Sequence, residues 1–215
     1  MKRYGTPPLF VGKFDLTLPE VMYYLYLPVK MMDSDIRLPQ NVECCRPLIG
    51  AALDYAVAAG RNTLGEYVYL SARKGWASPD NPLNRPGWHC DGFGTRDLNF
   101  VWWDGPGTRF AVQEFSGING SHIASLGQFE TQVKASSIRQ GKAHSLYAID
   151  PHCVHSTPLI KAPGCMRQYI KVSLSPERYN LENNSHNYLF DYSWPLHSRA
   201  EIRNDPHRAQ LDYVA

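Results

Sequence analysis

The sequence predicts a single, mainly β domain in which an antiparallel sheet closes into a double-sheet roll or a barrel. Tyrosine, tryptophan and proline are abundant, with 13, 5 and 16 residues, and this composition favours strands and loops. A hydrophobic fraction of 43% and a charged fraction of 20% are ordinary for a folded globular chain. Beyond residue 66, short β-rich runs follow one another without the helical stretches that a parallel sheet needs.

The chain divides into three parts within this one domain. They are an N-terminal support over 1–65, a core over 66–175 and a C-terminal extension over 176–215. In the support, apolar residues recur at helical spacing from Pro47 to Ala59, and Gly60 suits the end of the helix. We therefore expect flanking N-terminal helices that cover one face of the sheet.

The core contains five runs typical of strands, each bounded by Gly, Pro or Asp. They are Glu66–Arg73, Asp97–Asp104, Thr108–Glu114, His144–Ile149 and Arg167–Ser175. Gly105-Pro106-Gly107 lies between the second and third runs and predicts a tight hairpin. Two insertions, 74–87 and 116–142, interrupt the runs, and the first is expected to be a mobile loop at the mouth of a site.

Composition also limits the function. With 22 basic and 20 acidic residues, the chain gives no general indication of a nucleic-acid partner, although a local basic groove is compatible with this balance. No apolar run approaches the roughly 20 residues that span a bilayer, and the start does not resemble a secretory signal. The five cysteines favour reduced thiols. We expect a cytoplasmic protein without a membrane partner.

The motif Trp88-His89-Cys90-Asp91 is the strongest indication of chemistry. Side chains alternate along a strand, so His89 and Asp91 share a face and Cys90 points away. A third metal ligand should come from another strand, and His152 and His155 are both candidates because Pro151 interrupts the alternation before them. Two imidazoles and one carboxylate, with open positions left over, suit ferrous iron.

With these residues in this order, the core resembles the iron(II)/2-oxoglutarate-dependent dioxygenase superfamily. The resemblance implies a double-stranded β-helix of the jelly-roll or cupin-like type. It selects His155, which precedes Pro158, as the third ligand. It also implies that Arg167 binds the distal carboxylate of 2-oxoglutarate, a role for which a guanidinium is well shaped. Lys171 is the alternative for that role.

Further site residues follow from the predicted strands. Tyr169 and Lys171 share a face with Arg167, and Tyr69 lies on the strand before the metal pair, so all are assigned to the cosubstrate. A substrate pocket is assigned to four other residues, which are Trp76, Trp88, Asn99 and Trp102. No catalytic residue beyond the metal ligands is predicted.

The resemblance implies an oxidoreductase that uses Fe(2+), 2-oxoglutarate and O2. Hydroxylation of a small molecule or of a modified residue, with release of succinate and CO2, is the expected reaction. One alternative is a cupin-type metal protein that does not use 2-oxoglutarate. Another is a non-catalytic β-roll binding module. A carboxylate anchor distinguishes the first from the second, and specific metal uptake distinguishes both from the third.

Overall fold

A computed structural model describes residues 3–199, apart from the side chain of His122. Within this range the chain forms two antiparallel sheets and a few helices. The strands are β1 (Leu9–Lys13), β2 (Met22–Lys30), β3 (Tyr67–Ala77), β4 (Leu98–Trp103), β5 (Arg109–Ala111), β6 (Ile138–Gln140), β7 (Ser145–Ile149), β8 (His155–Ser156) and β9 (Cys165–Ser175). The helices are α1 (Arg46–Ala58), α2 (His122–Gln132) and the short 3-10 turns Gln40–Cys45 and Ala135–Ser137.

The larger sheet has six strands in the order β1-β7-β4-β9-β3-β2, and the smaller has three in the order β6-β5-β8. Every pairing in both sheets is antiparallel. The prediction of a mainly β, antiparallel fold is therefore confirmed. Each of the five predicted core strands is present, and α1 matches the predicted helix to within a residue at each end.

The main apolar core lies on one face of the larger sheet, and α1 covers that face. Leu48, Ile49 and Ala52 of α1 are fully buried with the inward residues of the central strands. Those inward residues are Val68, Leu70 and Ala72 of β3, Phe100 and Trp102 of β4, and Ile170, Val172 and Leu174 of β9. The residues between them are mostly polar on β3 and β9, whereas β4 supplies the apolar Val101 and Trp103. These intervening residues therefore lie on the opposite face of the sheet, towards the smaller sheet.

The N-terminal support over 1–65 contains two strands in addition to the expected helices. Its strands β1 and β2 form the two edges of the larger sheet, β1 against β7 and β2 against β3. Pro28 within β2 is compatible with an edge position, where one side of the strand needs no ladder hydrogen bonds. Of the C-terminal extension over 176–215, the part beyond residue 199 lies outside the described residues.

The prediction of a hairpin at Gly105-Pro106-Gly107 is wrong. The strands on either side of it, β4 and β5, lie in different sheets: β4 pairs with β7 and β9, whereas β5 pairs with β6 and β8. The same turn residues can carry a chain from one sheet to another. This crossing places the smaller sheet over the polar face of the larger one.

Among residues 3–199, the helices are too short or too polar to cross a membrane.

A buried lysine, Lys30, holds the end of β2 in place. Its ammonium donates to the carbonyl oxygens of Met31, Leu64 and Glu66 at 3.0, 3.1 and 3.0 Å. Burial lowers the pKa of Lys30, while the neighbouring acids Asp33 and Glu66 oppose the shift. The ammonium thus replaces the water that these carbonyl groups would otherwise bind.

We predict that Lys30→Met lowers the free energy of unfolding by about 2 to 4 kcal/mol, because it removes three hydrogen bonds from a charged donor. Urea unfolding measures this change. Lys161→Met is the matched control, since Lys161 is exposed and its loss should cost no more than about 0.5 kcal/mol. Equal effects of the two substitutions would contradict the role given to Lys30.

Candidate metal centre

Backbone pairing brings the two histidines of the site together. His89 and His155 form an isolated antiparallel bridge, in which the N–H of each donates to the carbonyl oxygen of the other at 2.9 and 2.8 Å. Their rings lie side by side, with centroids 4.5 Å apart. Since His155 belongs to β8, this bridge attaches the Trp88–Asp91 motif to the smaller sheet.

A tight turn then places Asp91 beside the histidines. The turn passes through Gly92, whose φ of 66° is in the left-handed region. A Cβ at this position would also lie 2.9 Å from the Cβ of Asp97. Both constraints favour glycine. The turn brings Oδ2 of Asp91 to 3.6 Å from Nε2 of His155.

The three side chains fit a metal ion. One ligand atom from each of His89, Asp91 and His155 lies within 4.8 Å of the other two. Nδ1 of His89 is 3.0 Å from the carbonyl oxygen of Gly87, and Nδ1 of His155 is 3.0 Å from that of Cys153. These contacts favour a proton on Nδ1 and leave Nε2 as the ligand atom of each ring, which is the usual support for metal-binding histidines.

The electrostatics of the group also suit a cation. Burial, together with the neighbouring His155, lowers the pKa of His89 to about 3, so the ring is neutral and able to bind a metal at neutral pH. Burial alone would raise the pKa of Asp91, but Lys171 and His155 hold it well below its ordinary value. The group therefore offers two imidazoles, at least one of them neutral, and one carboxylate.

Lys171 of β9 forms an ion pair with the proposed carboxylate ligand. Its Nζ lies 3.0 Å from Oδ2 of Asp91 and donates to the hydroxyl of Tyr26 at 2.9 Å. Burial alone would lower the pKa of Lys171, but Asp91, Tyr26 and Tyr169 hold it above its ordinary value. An ammonium has three donors, so these two contacts leave one for another acceptor in the cavity.

Sequence reasoning missed Tyr26. The register of β2 against β3 shifts between Tyr24 and Leu27, and Tyr26 has a φ of 50°, which is unusual for a residue other than glycine. Its N–H donates to Oγ of Ser71 at 3.0 Å. This irregularity places its ring 4.6 Å from Nζ of Lys171. Nothing in the residue pattern of β2 indicates a bulge at that position.

A cavity of about 590 Å3 opens beside the metal group. Its walls include the three candidate ligands and two residues predicted to bind a cosubstrate, Tyr169 and Lys171. Leu83, Asn84 and Arg85 also line it, so part of the insertion 74–87 reaches the cavity, although its first residues, as far as Ala77, belong to β3. The volume is in the range of small-molecule sites.

Arg167 does not line this cavity. It shares a face of β9 with Tyr169 and Lys171, but its side chain is completely buried beneath the insertion. There it donates to the carbonyl oxygens of Pro106 and Pro82 at 3.1 and 3.2 Å and to Oδ1 of Asn84 at 2.5 Å. The guanidinium therefore fastens two loops in this structure.

Tyr69 also lies away from the cavity. Its hydroxyl donates to the carbonyl oxygen of Glu177 at 2.9 Å and accepts from the N–H of Tyr179 at 3.0 Å. Its ring is stacked on that of Tyr179, with centroids 4.1 Å apart. In the structure Tyr69 holds the chain that follows β9.

None of the four residues assigned to a substrate pocket lines the cavity. Trp102 faces α1 and donates from Nε1 to the carbonyl oxygen of Phe14 at 3.0 Å. Trp88 is buried in a small apolar cluster. Asn99 lies on the same face of the larger sheet as Lys171, but it accepts a hydrogen bond from Oγ of Ser173 at 2.6 Å. Trp76 is 55% exposed at the far end of β3.

The remaining candidates near the motif are accounted for by packing. His152, the alternative to His155, lies against the ring of Tyr4, with centroids 5.2 Å apart. Cys90 is buried in the same apolar cluster as Trp88, and burial raises the pKa of its thiol. Cys90 nevertheless lines the cavity together with His89 and Asp91, and Asp91 lies in a turn, so the three residues do not form the expected alternating strand.

Comparison with known proteins gives only distant similarities. No protein-family model and no curated protein sequence matches the chain. Among solved structures, EvdO2 from Micromonospora carbonacea var. aurantiaca is similar over 70% of this chain and 76% of its own, with 11% identity and a TM-score of 0.35. The structure of EvdO2 complexed with 2-oxoglutarate covers 77% of this chain and 76% of its own, with 12% identity and a TM-score of 0.33.

A bsmA homologue from Methylobium petroleophilum PM1 is similar over 73% of this chain and 63% of its own, with 14% identity and a TM-score of 0.36. TM-scores this low do not establish a common fold. The chemistry of the site therefore has to be inferred from its own geometry.

We predict that Lys171→Met lowers the free energy of unfolding of the metal-free protein by about 1 to 3 kcal/mol, because it leaves a largely buried carboxylate without its cation. The double variant Asp91→Asn/Lys171→Met removes both charges and should lose less than Lys171→Met alone. Urea unfolding of the two single variants and the double variant gives the coupling energy. Purely additive losses would show that the ion pair does not stabilise the fold.

Proposed function

We propose that the protein is a non-haem iron(II)- and 2-oxoglutarate-dependent oxygenase, with its strands arranged as a distant double-stranded β-helix. His89, Asp91 and His155 would hold the metal. The observation that carries the proposal is the convergence of these three ligand atoms, two of them oriented by carbonyl groups, on a cavity with a cationic anchor. The chemistry that iron(II) supplies when bound is activation of dioxygen, coupled in this class to conversion of 2-oxoglutarate into succinate and CO2.

In this proposal Lys171 binds a carboxylate of 2-oxoglutarate. Its ammonium has a donor left after Asp91 and Tyr26, and it lines the cavity, whereas Arg167 does not. Tyr169 lines the same wall. Burial raises the pKa of Tyr169 above its ordinary value, so its hydroxyl stays protonated and can donate to an anion.

The rest of the chain supports this site by position and by excluding water. The carbonyl groups of Gly87 and Cys153 fix the two imidazole rings. Phe93 and Tyr26 supply apolar surface to the cavity walls. Hydroxylation of a small molecule or of a modified residue is the outcome we propose.

One observation favours a second candidate. Arg167, which the resemblance assigns to 2-oxoglutarate, lies outside the cavity and donates to Pro82, Asn84 and Pro106. A cupin-type metal enzyme that does not use 2-oxoglutarate needs no such anchor. The two candidates differ in whether 2-oxoglutarate binds next to the metal.

We predict that anaerobic addition of iron(II) and 2-oxoglutarate produces a visible charge-transfer band, because the cosubstrate would bind the metal directly. The band should be lost in His89→Ala. It should persist in His152→Ala, the matched control, since His152 is a neighbouring histidine outside the metal group. Absorption spectra of the three proteins make the comparison.

No band in the wild-type protein, or a band that survives in His89→Ala, would refute the proposal. Metal uptake by the wild-type protein without any response to 2-oxoglutarate would favour the cupin-type alternative.

We also predict that Lys171→Gln weakens 2-oxoglutarate binding by about tenfold or more, because a charged hydrogen bond to the carboxylate is lost. Isothermal titration in the presence of Mn(II) measures the affinity. Lys161→Gln is the control, since Lys161 is exposed. If Arg167→Gln weakened 2-oxoglutarate binding and Lys171→Gln did not, Arg167 rather than Lys171 would be the carboxylate anchor.

A further inference from the structure

A continuous series of aromatic rings leads from the cavity to the molecular surface. Its first member, Tyr26, lines the cavity together with the three candidate metal ligands. Neighbouring rings in the series have centroids between 4.1 and 5.9 Å apart, which is the ordinary spacing of aromatic pairs in contact. From the cavity outwards, the members of this aromatic chain are Tyr26, Tyr179, Tyr69, Tyr67, Trp194 and Tyr192.

The two ends of the aromatic chain lie in different surroundings. At the inner end, the hydroxyl of Tyr26 accepts a hydrogen bond from Nζ of Lys171 at 2.9 Å. The same ammonium lies 3.0 Å from Oδ2 of Asp91. At the outer end, Tyr192 is stacked on the exposed ring of His186, with centroids 4.3 Å apart. The aromatic chain therefore connects solvent with a ring that is separated from a candidate metal ligand by one side chain.

The second ring of the chain, Tyr179, has a proton acceptor at its hydroxyl. Its O–H donates to Oδ2 of Asp97 at 2.6 Å, and Asp97 is 4% exposed. Burial and the neighbouring carboxylate raise the pKa of Tyr179 well above its ordinary value, so the phenol is protonated at rest. Loss of an electron makes a phenol strongly acidic, and Asp97 is placed to take the proton. Oxidation of Tyr179 therefore costs less than that of Tyr69, whose hydroxyl donates to a peptide carbonyl group.

We propose that the aromatic chain is an electron-transfer path that protects the site when dioxygen is activated in the absence of substrate. This inference rests on the proposed function, which supplies the oxidant at the metal group. A site that activates dioxygen has to exclude such competing reactions. Tyrosine and tryptophan rings are readily oxidised, and electron tunnelling falls steeply with distance. Rings in contact therefore carry an electron more rapidly than the aliphatic side chains around them.

The transfer balances in electrons and protons. An electron from Tyr179 passes through the ring of Tyr26 to the dioxygen-derived oxidant, and the phenolic proton of Tyr179 moves to Asp97. An electron then moves inwards along the chain from Tyr192, and Asp97 returns the proton. A soluble one-electron reductant such as ascorbate reduces Tyr192 again at the surface. A second electron follows the same route, and with two protons from solvent the oxygen atom of the oxidant leaves as water.

Turnover without substrate tests the path from its inner end. The protein is supplied with iron(II), 2-oxoglutarate and dioxygen, and peptide mass spectrometry locates the oxidised side chains. In the wild-type protein we expect oxidation at Trp194 and Tyr192. Tyr179→Phe keeps the ring but removes the transferable proton, so oxidation of these two outer residues should fall severalfold and oxidation of Tyr26 should rise.

Photo-oxidation of the metal-free protein tests the path from its outer end. Flash excitation of ruthenium tris(bipyridine) with persulfate oxidises exposed rings, and electron paramagnetic resonance of frozen samples detects tyrosyl radicals. We expect a long-lived radical on Tyr179, because Asp97 holds its proton. The signal should fall severalfold in Tyr179→Phe and in Trp194→Phe, since phenylalanine fills the position with a ring that is much harder to oxidise.

Tyr55→Phe is the matched control in both experiments. The ring of Tyr55 packs against Phe100 on the face of the larger sheet that α1 covers, with centroids 5.6 Å apart. This variant should behave like the wild-type protein. Circular dichroism confirms that each variant is folded.

Equal radical signals in the wild-type protein, Tyr179→Phe and Trp194→Phe would overturn the inference. Oxidation that stops at Tyr26 in the wild-type protein during turnover without substrate would also overturn it, and would leave the proposed function in place. A chain-dependent radical in the metal-free protein, with no oxidation when iron(II) and 2-oxoglutarate are supplied, would refute the proposed function and support the electron-transfer path by itself.

Discussion

The ion pair between Lys171 and Asp91 is the interaction on which the site depends. Lys171 lies on β9, between its neighbours β4 and β3 in the larger sheet, and Asp91 lies in the turn after His89. The pair therefore fastens the candidate metal-binding motif to the larger sheet, while the bridge between His89 and His155 fastens it to the smaller one. In the proposed function a metal shares Asp91 with this ammonium, so the two cations repel each other until an anionic cosubstrate arrives. Metal and 2-oxoglutarate binding should consequently reinforce each other.

The alternation of β3, β4 and β9 makes such an arrangement possible. β3 and β9 give their aliphatic residues to the core beneath α1 and mostly polar residues to the opposite face, where Val101 and Trp103 of β4 pack with Phe110 of β5. An ammonium and a carboxylate can be held away from bulk water there, because the sheet beneath them is already stabilised by apolar packing on its other side. The smaller sheet then needs only short strands, since its function is to cover the polar face and to present His155.

Part of this site was predictable because it depends on local alternation. The shared face of Tyr169 and Lys171 follows from strand periodicity alone, whereas a turn through Gly92 brings Asp91 beside His89. Strand alternation could also have excluded Trp102 from the predicted substrate pocket, because Trp102 shares the core-facing side of β4 with Phe100. The positions of Arg167 and Tyr26 could not be predicted in this way. The first depends on a loop folded over the strand, and the second on a bulge that the residue pattern does not mark.

The prediction of a hairpin at Gly105-Pro106-Gly107 was wrong for a related reason. A tight turn and a crossing between sheets use the same residues, so only the long-range partners of β4 and β5 distinguish them. The smaller sheet, and with it the wall of the cavity, depends on those partners. Local sequence therefore indicated which side chains meet better than it indicated the architecture that brings them together.

The two kinds of cation in the cavity suit their two positions. At the inner end, one group must contact Asp91, Tyr26 and a ligand in three directions, which the rotating donors of an ammonium allow. A planar guanidinium presents its donors in a fixed fork and suits a single flat or tetrahedral anion. Arg167 and Arg73 instead donate to carbonyl oxygens of loops, Arg167 to those of Pro106 and Pro82 and Arg73 to that of Leu83. The arginines therefore hold loops against β9 and β3, whereas the lysine holds the carboxylate of Asp91.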